Sequence, residues 1–457
     1  MAGLFDSLSI ATSALTAYRT GLDVVGQNIA NVNTPGYVRR TLALAERVPA
    51  SPLDAGRGVD IVSIQANRSE LIDGRIGHEQ AGLAHDSALL DGLKEVESAI
   101  GVPGSSLDAD LDAFFSSFSQ LSTDVTSSSA RDSVIRQGQT LAQGFGALSG
   151  RISELQRSTD TSIRDAVAQL NQLTEGYSQL NGQIAGRAGG DVEVLKDERA
   201  NVLAQIQTLA DVSTISGADG GIDLTMPQGQ ALVIGGTAYA VSVASTPPSG
   251  AASLKLSDFD ITSQIGNGRL GGLITLRDTV LGGYQTGLDQ LAYDVATQVN
   301  VVHTAGFDAN GAAGGNFFTT PTGVAGAAAA LAVDPTLAAD SQRVAGSGTG
   351  AVGDNQNARA LAALRDARVM SGGTATAAEA WSNLVYQVGS DVATAQSASG
   401  TREAVVRQLQ QLRDQASGVS LDEEAANLMK FQRSYEASAR FFTTVNDTLT
   451  TLMAMVQ

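Results

Sequence analysis

The sequence predicts a mainly α protein with a small β insert. The expected form is elongated and nested: N- and C-terminal helices pair as a coiled coil, and a long-helix domain lies between them. Three observations lead there. From Ser420 to Gln457 the residues Leu428, Phe431, Tyr435, Phe442, Val445, Leu449, Leu452 and Val456 recur in steps of three and four. Leu421 opens the series, and Glu424 and Ser438 fill its two non-apolar positions. That is the seam of a coiled coil. At the other end Leu4, Leu8, Ala11, Leu15, Tyr18, Leu22, Val25, Ile29 and Val32 step in the same way, with only Asp6, Arg19 and Asp23 charged between Met1 and Val32. Finally, the run from Val134 to Ile184 keeps a helical period over fifty residues, roughly 75 Å of helix at 1.5 Å per residue.

Composition narrows the function. The 457 residues exceed one ordinary core, so two or three domains are expected. A formal net charge of −18 argues against nucleic acid or an anionic membrane as partner. Cysteine is absent, which excludes disulfides and thiolate catalysis. No Lys or Arg precedes Arg19, and no apolar run is long enough for a signal peptide or a bilayer span. Neither membrane insertion nor a cleaved signal is expected.

Taken in order, the first helix should end near Asn33, because Pro35 disfavours helical geometry at Thr34 and Gly36 follows as a turn residue. Val38–Leu44 and Val59–Ile64 have the character of short strands. Helical periodicity returns over Asn67–Ile100, after Leu107 in a segment carrying Phe114, Phe115 and Phe118, and through the long run. Gly, Thr, Val and Pro then dominate from Asp211 to Ile265, the β insert. Helix resumes with Leu273 through Val302, and again from about Asn357. The expected domains are therefore 1–40 plus 417–457 for the terminal coiled coil, 41–210 plus 266–416 for the helical middle, and 211–265 for the insert. Ser420 with Glu423 forms a capping-box pattern at the start of the last helix.

Residues that could carry chemistry are scarce. Asp108, Asp110 and Asp112 have the opening spacing of a calcium loop, but Ala113 and Ser119 stand where its Gly and Glu belong. They suit a helix N-terminus better. His78, His85 and His303 lack ligand spacing and are expected to be solvated or partly buried. Gly346-Ser347-Gly348-Thr349-Gly350 looks like a phosphate loop, yet it follows no strand and has no Lys partner, so a flexible loop is expected. No catalytic residue, cofactor or metal is expected, and the chain is not read as an enzyme.

One segment is specific. Asn28, Asn31 and Asn33 crowd a helix end that Pro35-Gly36-Tyr37 terminates, beside the N-terminal seam. Asn there can satisfy free backbone groups or fix register across a helix pair. The candidate assembly interface is accordingly Leu4, Leu8, Leu15, Leu22, Val25, Asn28, Ile29, Asn31, Val32, Asn33, Pro35, Gly36 and Tyr37, with Leu428, Phe431, Tyr435, Phe442, Val445, Leu449 and Leu452.

The segment Asn28–Tyr37, with Ser13–Ala17 and Gly21–Val24 before it, resembles the N-terminal signature of bacterial flagellar axial proteins. Further matches are to the hook–filament junction branch of that family. They include Val38-Arg39-Arg40, Gly56–Ile61, Phe114-Phe115, Leu270–Leu273 through Arg277-Asp278, His303 through Gly311, Phe317-Phe318 and Ser417–Ala425. The short insert and the short Phe318–Val333 connection depart from family members with larger β domains. The resemblance implies a structural adaptor, a homo-oligomeric ring joining hook to filament. Its implied partners are the hook protein, a second hook–filament junction protein, a cytoplasmic export chaperone on the C-terminal helix and the flagellar type III export apparatus. It also implies an extracellular location on the flagellum, reached without a cleaved signal peptide. Alternatives are a hook or rod axial protein of the same superfamily, a surface adhesin, or a cell-wall-acting enzyme.

Overall fold

A computed structural model describes residues 2–34, 37–47, 57–100, 107–187, 192–217, 220–246 and 250–456. Pro35 and Gly36 lie outside them, as does most of the expected loop between the first two strands. The elements in chain order are α1 (Ala2–Ala30), β1 (Arg40–Glu46), β2 (Val59–Ala66), α2 (Glu70–Ile100), α3 (Leu107–Thr123), α4 (Ser128–Gly186) and α5 (Glu193–Leu209). Strands β3 (Ser213–Ser216), β4 (Ile222–Thr225), β5 (Ala231–Ile234), β6 (Thr237–Ala238), β7 (Val241–Thr246), β8 (Ala251–Leu256) and β9 (Phe259–Asp260) follow. Then come α6 (Gly268–Ile274), α7 (Leu281–Thr304), the short α8 (Ala327–Ala330) and α9 (Pro335–Ala339), α10 (Gln356–Ala363), α11 (Ala377–Ser417) and α12 (Leu421–Val456). The chain is 68% helical, so the fold class is mainly α with small antiparallel sheets.

The packing divides into two compact units: 1–82, 169–241 and 402–457 form one, 83–168 and 242–401 the other. This grouping differs from the segmentation expected from sequence. The stretch 211–265 is not one insert. It holds a four-stranded sheet, β3-β4-β5-β6, in the first unit and a three-stranded sheet, β7-β8-β9, in the second. The reason lies in two polar side chains of α4. Asn181 donates to the carbonyls of Ile222 (2.8 Å) and Gly235 (3.1 Å), pinning the first sheet. Asp160 accepts from the Ala252 amide at 2.6 Å and pins the second.

In the first unit the β1–β2 hairpin is antiparallel, with Arg40 opposite Ala66, and lies against α1, where the Val59 amide donates to Ser13 Oγ at 3.3 Å. The four-stranded sheet buries Leu224, Leu232 and Val233. Beneath it Arg199 donates to Asn181 Oδ1 at 2.8 Å and to the Gly220 carbonyl at 3.0 Å. Burial pushes the neighbouring Tyr177 hydroxyl up to about 12.

The second unit is built on aromatic side chains. Phe114, Phe115 and Phe118 on α3 meet Phe317 and Phe318, with contacting ring centroids 4.9–5.7 Å apart in tilted and edge-on geometries. Asn300 on α7 holds the Phe317-Phe318 segment in place: its Oδ1 accepts both amides at 2.8 Å, and its Nδ2 donates to the Phe318 carbonyl at 2.9 Å. Between α6 and α7, residues Thr275–Val280 form a π-helical turn. This widening projects Arg277, which donates to Asp160 Oδ1 at 2.7 Å and to the Ala252 carbonyl at 2.9 Å. Gly272 sits where a Cβ would strike the His85 carbonyl, so the crossing with α2 requires glycine there.

Three local expectations change. His303 is not solvated: it is fully buried, stacks edge-on to Phe317, and bonds the Gly315 carbonyl through Nδ1 (2.6 Å) while Nε2 accepts the Ala345 amide (2.9 Å). The Nδ1–H tautomer satisfies both contacts, and burial lowers its pKa to about 4. The Gly346–Gly350 loop is a closed turn around the chain's own anion. Asp354 Oδ1 accepts the Gln356 amide at 3.1 Å, and Oδ2 accepts the Thr349 and Ser347 hydroxyls at 2.9 Å each and the Gly348 and Thr349 amides at 2.8 Å each, which hold its carboxyl well below the usual range. A nest of amides therefore forms as in a phosphate loop, and an Asp fills it. The capping box is only half made. The Glu423 amide reaches Ser420 Oγ at 3.5 Å, but the Glu423 carboxylate is drawn to Arg39.

Candidate functional site

The site is the pair formed by α1 and α12, which pack along each other. Glu424 faces Asn28, and Phe431 faces Gly21 and Tyr18, so the helices run antiparallel. Contact is close at Gly21: a Cβ there would lie 2.8 Å from the Phe431 ring. Tyr18 and Phe431 stand 6.4 Å apart, centroid to centroid. Ala11, Ala17, Gly21, Val24 and Val25 are buried positions of α1. The spacing of large residues did not reveal Ala17, Gly21 and Val24 among them.

The predicted seam residues fall into three groups. Val25, Asn28 and Val445 are buried. Leu4, Leu8, Leu15, Leu22, Ile29, Asn31, Val32 and Tyr37 are half-buried, as are Leu428, Phe431, Phe442 and Leu449. Asn33, Tyr435 and Leu452 are exposed. A coiled-coil seam covered by one partner would bury its large residues; here most are covered on one side only. Beyond Val445 no described residue of α12 is buried, and Leu452, Met453 and Met455 are 40%, 62% and 76% exposed. Extending the alignment by one rise per residue, the last turn of α12, from about Leu452, passes beyond the first turn of α1. This end of α12 thus exposes apolar side chains on a helix with Asp447 as its only charge after Arg440.

At the opposite end of the pair lies a polar knot. Glu424, the charged position of a mostly apolar seam, is 1% exposed. Its Oε2 accepts from Asn28 Nδ2 at 3.0 Å, and its Oε1 from Arg39 Nε at 2.8 Å. The Asn28 side chain also closes on the chain entering β1, donating to the Arg40 carbonyl (2.8 Å) while its Oδ1 accepts the Arg40 amide (3.0 Å) and the Tyr37 hydroxyl (2.9 Å). Burial raises the Tyr37 pKa, keeping that hydroxyl a donor. Arg39 reaches Glu423 Oε2 at 2.6 Å through its guanidinium and the Ser417 carbonyl at 3.1 Å through its amide. Arg40 stands 5.7 Å over the Tyr37 ring and bonds Asp197 on α5 at 2.6 Å, and Arg68 bonds the other Asp197 oxygen.

Of the three asparagines only Asn28 bridges elements. Asn31 Nδ2 folds back to the Gln27 carbonyl at 2.9 Å, and its Oδ1 accepts from Thr34 Oγ1 at 3.2 Å. Arg39, Arg40, Asp197 and Glu424 complete the knot and stood outside the predicted set. The doublets Arg39-Arg40 and Glu423-Glu424 were a usable signal, but Asp197 was not findable without the fold. Elsewhere, no group of three or more metal-ligating side chains occurs among the described residues. Asp108 and Asp110 lie in the first turn of α3. No described helix is long and apolar enough to cross a membrane.

The fold is mainly α, with its two ends brought together as an antiparallel helix pair whose seams are only partly covered. The comparisons place it among flagellar proteins. Residues 93–318 match the family model described as the helical domain of flagellar hook-associated protein FlgK. Residues 8–37 match the flagella basal body rod protein model, and 410–455 the C-terminal model of the flagellar basal body rod FlgEFG proteins. Within that class the chain is a homologue of flagellar hook-associated protein 1. It is 26% identical to that of Escherichia coli K12 (95% of this chain, 97% of the relative) and 27% identical to that of Bacillus subtilis 168 (98% of each). The solved flagellar hook junction protein FlgK from Burkholderia pseudomallei shares the fold, with a TM-score of 0.67 at 16% identity over 75% of this chain and 99% of that one.

Proposed function

We propose that this chain is a structural component of the bacterial flagellum, an adaptor between hook and filament whose terminal helices are its joining surface. The observation that carries the reading is the half-covered seam of α1 and α12, on a chain whose near full-length relatives are named flagellar hook-associated protein 1. The adaptor works mechanically and catalyses no reaction. Copies contact one another heterologously and close into a ring, since an adaptor between two tubular segments must close rather than grow. The ring takes the hook protein on one side and a second junction protein on the other. The apolar face of α12 is covered by a cytoplasmic chaperone before passage through the type III export apparatus, and the protein works outside the cell.

Imaging the purified protein mixed with isolated hooks tests this. Binding confined to one hook end supports it; binding scattered along the hook favours a hook-type subunit instead. Replacing Leu449 and Leu452 with Asp should abolish end binding while the second unit stays folded. A double mutant that still capped hooks would remove the terminal pair from the mechanism.

A further inference from the structure

The apolar seams of α1 and α12 do not by themselves choose an alignment. Both repeat every seven residues, so sliding one helix along the other by a heptad keeps the two apolar stripes face to face, although the Phe431 ring would then meet Ala14 or Asn28 in place of Gly21. Glu424 breaks that degeneracy. In the observed alignment its two carboxylate oxygens are met by Asn28 Nδ2 and Arg39 Nε, and the residue is almost wholly buried. Slid by a heptad in one direction, the carboxylate would face the stripe around Gly21 and Val24; slid in the other, it would pass the end of α1 at Ala30. Either move carries it about 10 Å along the helix from Asn28, and a carboxylate that stayed buried without its donors would be costly.

We propose that Glu424, read by Asn28 and Arg39, is the positioning residue that admits a single axial alignment of the terminal pair. The knot also transmits that alignment to the rest of its unit. Asn28 holds both backbone polar groups of Arg40, Arg39 holds the Ser417 carbonyl just before α12, and Arg40 reaches α5 through Asp197. The docking surface at the far end of α12 is thereby set at a fixed height along α1. The inference rests on the adaptor reading for its functional meaning: subunits stacking through these helices need identical offsets. It concerns register rather than stability, because an apolar residue in place of a buried ion pair is often neutral or stabilising.

The chain has no cysteine, so Ser9→Cys and Gln432→Cys, both at exposed helix positions, give two clean spin-labelling sites on the full-length protein. Double electron–electron resonance should show one narrow distance in the otherwise native chain. Glu424→Leu should add a second population displaced by about 10 Å, the length of seven helical residues, with helix content unchanged. Glu424→Gln keeps an acceptor for both donors and should restore the single distance. If Glu424→Leu loses helix content, Arg39→Leu carries the same test from outside the two helices and should also split the distribution. A single unchanged distance in whichever of these folds would overturn the proposal, as would a broad distribution in the native chain. Hook-end binding is scored separately, so a failure of register control and a failure of the adaptor reading are distinguishable.

Discussion

The terminal pair and the aromatic core of the second unit bury apolar side chains in opposite ways. Around Phe114 every large ring is enclosed: Phe114, Phe118, Phe317 and Phe318 are 0% exposed, and the segment that brings two of them is held by Asn300. Along α1 and α12 the large residues are half-covered and the enclosed positions are small or polar. Hydrophobic burial is complete in the first case and partial in the second. Apolar periodicity alone therefore does not say whether a face belongs to the fold or to an assembly; the fraction covered does.

Perturbations should separate the two regions by their effect on stability. The largest loss is expected from Phe114→Ala, about 3–5 kcal/mol, because the enclosed site cannot collapse around the void. Denaturant unfolding would measure it, and a loss under 1 kcal/mol would show that the ring cluster is looser than drawn.

Next comes the pH response of His303. Unfolded, its imidazole takes a proton near 6.5; folded, only near 4. Between those values the unfolded chain binds more protons, so stability should rise with pH from about 4 to 6.5 and level off above. The span corresponds to roughly 3 kcal/mol. His303→Gln should flatten that part of the stability–pH curve, and a slope that persisted would assign it to other groups.

Gly21→Ala should cost about 1–3 kcal/mol, since its methyl must displace the Phe431 ring. That loss should appear in the terminal helices by amide exchange and leave protection around Phe317 unchanged. The smallest stability effect, within about 0.5 kcal/mol, is expected for Leu452→Asp at an exposed position. If the comparison holds, this nearly silent change should be among the most damaging to hook-end binding. A melting temperature several degrees lower would instead place Leu452 inside the fold.

Much of the fold was legible in residue patterns. The long α4, α12 with its start at Ser420, the end of α1 before Pro35 and the acidic first turn of α3 follow from periodicity, capping and backbone restriction, all of which act within a few residues along the chain. The β-prone stretch was visible too, but not its division. Two sheets form because Asn181 and Asp160, seven helical steps of three apart on α4, each satisfy a different set of backbone groups.

By itself the sequence determined that both ends of this protein are apolar helices of matching seven-residue period. Such periodicity is a local property, fixed by the order of side chains. Only the tertiary structure decided that the two helices run antiparallel, that Gly21 lies against the Phe431 ring, and that Glu424 is enclosed by Asn28 and Arg39. Those outcomes depend on groups hundreds of residues apart arriving at one place. A buried carboxylate is stable only where its donors already are, and a heptad repeat carries no information about where that is.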